Sequence, residues 1–223
     1  MNRIFLLSPA KASGLRAQLL TRPQANFELA RRVQIGDASI GEIFAFCSGL
    51  YFRGKLAYAT RFARVPDLFS GVQVITPSRG LVSADATIGL KELSEFSAVA
   101  IDASEPRFTV PLQKTARALP LSEPFEIVIL GSIATGKYVE ALLPVFGERL
   151  LFPIEFVGRG DMSRGALMLR CAASGEELQY APVSGTVRKG RRAPKVSSIS
   201  KRPISKPQLP SSSEQKPRRR SIR

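Results

Sequence analysis

Three apolar runs in this chain each end in a hydroxyl and a cation. "RIFLL" is followed by Ser8 and Lys11, "VQVIT" ends at Thr76 and leads to Ser78 and Arg79, and "EIVILG" opens onto Ser132, Thr135 and Lys137. Hydroxyls and cations that meet at one place suit a phosphate or another anion. The last of these stretches, "GSIATGKY", satisfies G-x-x-x-x-G-K, but Tyr138 stands where a Ser or Thr hydroxyl would hold magnesium. No apolar strand ending in Asp follows it to supply a second metal-holding group, and the ordered chain beyond it is short. The motif therefore reads as a strand-turn-helix with free backbone N–H groups, able to hold an anion, and not as the core of a nucleotide hydrolase.

The chain contains no histidine. That excludes Ser-His-Asp and Cys-His catalysis, histidine zinc sites and the zinc-deaminase pattern. Proton transfer would fall to Asp, Glu, Lys, Tyr or water, with Asp161 and Glu155 as acid or base candidates and Lys11 as a nucleophile if desolvation lowered its pKa. Cys47 and Cys171 sit in apolar surroundings and read as free buried thiols. Scattered Asp and Glu show no metal-ligand spacing, and neither a metal nor a cofactor is expected.

These groups need elements to hold them. The runs at 3–7, 72–76 and 126–131 read as buried strands, with weaker candidates "AVAID" at 98–102 and "RLLFP" at 149–153. Helical spacing appears at 26–33, at 52–63, near 107–119, at 137–146 and at 162–172, and "ELQYAPV" at 177–183 reads as a closing edge strand. In the helix at 52–63, Leu56, Ala59 and Phe62 are expected inward and Arg53, Lys55, Arg61 and Arg64 largely outward. Alternating strands and helices predict an α/β fold, a mostly parallel sheet flanked by helices. Ligands of such sheets bind at the carboxyl ends of the strands, which would bring Lys11, Arg79 and Lys137 to one pocket if their strands are neighbours. Polar loop surface accounts equally for each of them taken singly.

Charge divides the chain in two. From Arg188 to Arg223 there are 13 Lys or Arg against the single acid Glu214, a net of +12, so residues 1–187 carry only +3 of the total of +15. The expected organisation is an α/β domain over 1–187 and a disordered Lys/Arg/Ser/Pro-rich tail over 188–223. Clustered cations of this kind attract nucleic acid without regard to sequence, although a merely solubilising tail has the same composition. The N-terminal run "IFLL" is too short for a signal core or a membrane span, which predicts a cytoplasmic protein with no membrane partner. Nothing in the sequence fixes an oligomeric state.

A resemblance adds to this reading. "LLSPAK", "AFCSGLYFRGKLA" from Ala45, "TPSRGLV" from Thr76, "GSIATGKYVEALL" and "GRGDMSR" from Gly158 to Arg164 resemble, in order, elements of the YaaA-like peroxide-stress family, including its I-S-P-A-K start and its late "ARG-MSR" element. The matched islands span nearly all of residues 3–170. "SADATIGL" near 83–90 departs from the family's proline-tyrosine-arginine element, and the basic tail has no family counterpart. The resemblance implies a cytoplasmic bacterial α/β protein that protects DNA under oxidative stress and binds it, with Ser8, Lys11, Tyr51, Arg159, Ser163 and Arg164 at the matched polar positions. The leading expectation is thus a nucleic-acid-binding protein, with the tail and a basic pocket as its contacts. The alternative is an enzyme acting on a nucleobase, nucleoside or phosphorylated small molecule in that pocket.

Overall fold

The structure, a computed structural model, describes residues 2–66, 69–119 and 125–186. The expected tail over 188–223 lies outside the described residues.

The first run forms β1 (Asn2–Leu7), fully covered from Ile4 onward. Its side chains alternate between two cores, as a strand covered on both faces must. Phe5 and Leu7 join Val74, Val128 and Leu130 on one face, while Ile4 and Leu6 join Ile75, Ile127 and Ile129 on the other. The partners of β1 are β3 (Val72–Thr76) on one side and β6 (Phe125–Leu130) on the other, both parallel. β7 (Leu150–Pro153) extends the parallel set beyond β6. Two antiparallel strands close the edges, β4 (Gly80–Ser83) against β3 and β8 (Tyr180–Pro182) against β7. The six-stranded order is β4-β3-β1-β6-β7-β8, and a separate two-stranded ribbon pairs β2 (Ala38–Ser39) with β5 (Thr87–Ile88).

One face carries α1 (Leu15–Thr21), α2 (Glu28–Gln34), α3 (Ile40–Ser48), α4 (Leu50–Phe62), α5 (Leu90–Ser97) and α8 (Asp161–Ser174). The other carries α6 (Pro106–Arg117) and α7 (Val139–Phe146). The fold is therefore the expected α/β sandwich with a mostly parallel sheet. The run at 98–102 differs from expectation: it forms no strand and passes as an irregular segment from α5 toward α6. The position beside β3, where a further strand would pair, is taken by β4. β4 itself follows from the tight turn at Gly80, whose φ of +68° and whose contact with Pro111 and Thr115 of α6 leave no room for a side chain. Among the described residues no helix is long and apolar enough to cross a membrane.

The chain runs from β1 to β3 on one side and returns to β6 on the other. That reversal makes the carboxyl ends of β1 and β6 the place where a crevice opens in such sheets.

Candidate functional site

Ser8 is the first residue beyond β1. Its N–H and its hydroxyl both reach Leu130 O at the end of β6, each at 3.2 Å. Gly131 lies beside it: a Cβ there would stand 2.9 Å from Ser8 Cβ and 3.1 Å from Ser8 Oγ, so only glycine allows the end of β6 to approach the hydroxyl this closely.

The nitrogen facing Ser8 belongs to Lys55, and this corrects the outward placement expected for it. Lys55 is 1% exposed. Along α4 the inward stripe is Tyr51, Lys55, Tyr58 and Phe62, a run of helical spacings in which the lysine takes a core position. Arg53, Arg61 and Arg64 are exposed, as expected. Lys55 Nζ donates to Ser8 O and, at 2.9 Å, to Ser8 Oγ, and it stands 4.4 Å from the centre of the Tyr51 ring and 4.8 Å from that of Phe52. No carboxylate lies within ion-pair reach of it among the described residues. Burial therefore brings its pKa down to about 7, opposed only by the more distant Asp161.

Around this pair stand three further groups. Tyr51 is 8% exposed and its hydroxyl is buried, with no partner at strict hydrogen-bond geometry and the Arg164 guanidinium as the donor beside it. Burial raises its pKa, while Arg164 opposes the shift and Asp161 adds to it. Tyr138 is pushed up to about 12 by burial, with Tyr51 and Asp161 contributing. Arg164 donates from Nε and Nη2 to Phe156 O at 3.1 and 2.9 Å, and its Nη1 lies 3.7 Å from Asp161 Oδ1. The "GRGDMSR" stretch thus becomes the start of α8, with Asp161 and Arg164 facing the Tyr51 end of α4.

The same two loops build a second, open feature. A cleft of about 570 Å³ is lined by Lys11, Ser13, Pro77, Phe96, Asp102 and Lys137, among others. Lys11 and Lys137, from the ends of β1 and β6, share it, and both side chains are exposed. The Asp102 carboxylate is held below its usual range by the backbone N–H and hydroxyl of Ser104, with Lys137 a smaller influence.

Arg79 does not join them. Its guanidinium is bound to Glu95 at 2.7 Å and Glu92 at 3.2 Å, both on α5, so its charge is already compensated. Ser132 is half-buried and Thr135 exposed in the loop before α7, where the Glu140 carboxylate folds against Gly136. Arg159 reaches Ser163 Oγ at 3.4 Å on the exposed start of α8. The desolvation that would make a lysine a nucleophile falls on Lys55 and not on exposed Lys11. Tyr51, Lys55, Tyr58 and Phe62 lie on one helical face, but a lysine in such a stripe reads as solvated until its packing partner is known.

Among the described residues, no three His, Cys, Asp or Glu side chains are grouped as metal ligands would be. Fold and site together define a doubly wound α/β protein with a lysine-lined cleft at the carboxyl ends of its central strands and a buried Ser8–Lys55 pair beside it. Comparison with protein-family models, with curated proteins and with solved structures finds no match to the chain.

Proposed function

We propose that this protein binds nucleic acid, with the Lys11–Lys137 cleft taking a backbone phosphate or an extruded nucleotide and the basic segment from Arg188 to Arg223 adding affinity that does not depend on sequence. The observation that carries the reading is the pairing of Lys11 and Lys137 across one cleft at the switch point of the sheet. Neither lysine makes an ion pair among the described residues, although the Asp102 carboxylate shares the cleft and Lys137 acts on it from a distance. The net of +12 over the C-terminal segment supports the same partner, because each phosphate it neutralises releases condensed counterions. The ordered likeness to the YaaA-like elements, from "LLSPAK" to "GRGDMSR", extends the proposal to a role in protecting DNA under oxidative stress.

The test is a salt titration of binding to single- and double-stranded mixed-sequence DNA, comparing the full chain with a chain ending at Val187. The shortened chain retains measurable affinity, and Lys11→Ala with Lys137→Ala weakens it further. If the shortened chain binds no DNA at low salt, the cleft serves a smaller ligand and the proposal fails for the folded domain.

A further inference from the structure

We propose that Ser8 and Lys55 form a serine–lysine catalytic pair for acyl transfer, with Ser8 Oγ as nucleophile, Lys55 Nζ as its general base, and an ester or amide bearing an anionic group as substrate. This goes beyond nucleic-acid binding and does not depend on it. An activated hydroxyl needs a base within about 2.6–3.2 Å. Lys55 Nζ lies 2.9 Å from Ser8 Oγ. A lysine can act as base near neutral pH only when it is stripped of water and of acidic partners, because either would hold its proton. Lys55 meets both conditions, being 1% exposed with no ion-pair partner among the described residues. Its second hydrogen bond, to Ser8 O, holds the amine against the serine; as it stands Nζ donates to Oγ while the hydroxyl donates to Leu130 O, so the base step requires the neutral amine to accept the proton that the hydroxyl now directs at Leu130 O.

The surroundings supply the remaining parts. Gly131 lets the end of β6 pass close to Ser8, where any side chain would press on its Oγ. Among the described residues the backbone N–H groups of Ala10 and Lys11, on the loop that carries Ser8, find no protein acceptor, and they are the donors assigned to the developing oxyanion. Lys11, three residues beyond Ser8 on the same loop, opens into the cleft it shares with Lys137, which selects an anionic substituent on the substrate.

The steps balance without a co-reactant other than water. Ser8 Oγ bonds to the acyl carbon as its proton passes to Lys55 Nζ. Collapse of the tetrahedral species breaks the bond to the leaving group, which takes the proton from the lysine. Water then adds to the Ser8 ester, Lys55 again takes and returns a proton, and cleavage of the Oγ–carbon bond releases the carboxylic acid and restores Ser8.

Reaction of the full chain with a fluorophosphonate probe, read by mass spectrometry, tests the assignment. Ser8 is modified, and the rate rises about tenfold between pH 6 and pH 8, as expected for a base that loses its proton near pH 7. The titratable groups facing Lys55 are Tyr51 on its own helix and Asp161 on α8, with Arg164 and Tyr138 reaching Tyr51, and neither tyrosine is shifted downward into that range. Lys55→Met lowers the rate at least 100-fold in a chain that melts cooperatively, and Ser8→Ala removes the label. An unmodified Ser8 in the folded wild type from pH 6 to pH 9, or an unchanged rate in Lys55→Met, overturns the proposal. Should Lys55→Met fail to fold, the wild-type profile decides, and a rate independent of pH overturns it equally.

Discussion

Gly54 on α4 and Gly165 on α8 meet backbone to backbone. A Cβ on Gly54 would stand 2.6 Å from Gly165 O and 2.9 Å from its Cα, and a Cβ on Gly165 would stand 2.8 Å from Leu50 O. Two helices approach this closely only where both lack side chains. The crossing fixes the site, since Tyr51 and Lys55 lie within one turn of Gly54 while Asp161 and Arg164 lie in the four residues before Gly165.

Gly54→Ala therefore forces the two helices apart. The expected loss is about 1–3 kcal/mol of stability, typical of overpacking, despite the better helix propensity of alanine. A thermal melt measures it. A melting temperature equal to or above that of the wild type would show that the crossing is not the tight constraint inferred.

Lys55 makes stability depend on pH in an unusual direction. Its folded pKa, about 7, lies below its unfolded value, so between roughly pH 7 and pH 10 the unfolded chain binds more protons and stability rises with pH. The span corresponds to a change on the order of 4 kcal/mol at most. Above about pH 10 the raised pKa values of Tyr58 and Tyr138 reverse the trend, because the unfolded tyrosines then lose protons first. Chemical denaturation at pH 7 and pH 9.5 should show the rise in the wild type and a flatter profile in Lys55→Met. Equal slopes in the two chains would contradict the buried, uncompensated lysine.

Arg79 and the two cleft lysines should separate in DNA binding. Arg79→Ala leaves affinity within about twofold, because Glu92 and Glu95 already hold the guanidinium. Lys11→Ala with Lys137→Ala lowers the slope of log affinity against log salt by about 2, one for each phosphate that a lysine no longer neutralises. A larger effect from Arg79→Ala than from the lysine pair would move the interface toward α5.

At the N-terminal end of α3, Ser39 and Glu42 form a reciprocal cap, Glu42 N donating to Ser39 Oγ at 3.2 Å and Ser39 N to Glu42 Oε2 at 3.1 Å. Arg32 binds the same carboxylate and, with the cap, brings it down to about 2. Its contribution is present above the ordinary glutamate pKa and fades as pH falls toward 2. Ser39→Ala should cost about 1 kcal/mol at pH 7 and less at pH 3, read from denaturation midpoints.

The opposite end of β1 supplies a control. Arg3 is held there by Glu126 and Glu177, and Glu177 also takes Arg64 at 2.9 Å, all of it remote from Ser8 along the strand. Glu177→Ala is expected to cost about 1–3 kcal/mol in a melt while leaving DNA binding and Ser8 labelling unchanged. Loss of either together with stability would mean that the site is not insulated from this end.

Much of this architecture is legible in the residues themselves. Unbroken Ile, Val and Leu runs bounded by turn residues mark β1, β3 and β6, because a strand covered on both faces needs no polar alternation. Such strands, with helices between them, dictate a parallel sheet, and the carboxyl ends then present Ser8, Lys11 and Lys137 whatever the details of packing. Strand order, which brings β1 and β6 side by side and leaves Arg79 to α5, is set by contacts between distant segments. The burial of Lys55 is of the same kind. A lysine between Gly54 and Leu56 reads as solvated surface until α8, held at Gly165, closes over α4. Only then does its amine have nowhere to go but Ser8, and local composition holds no trace of a partner 47 residues away.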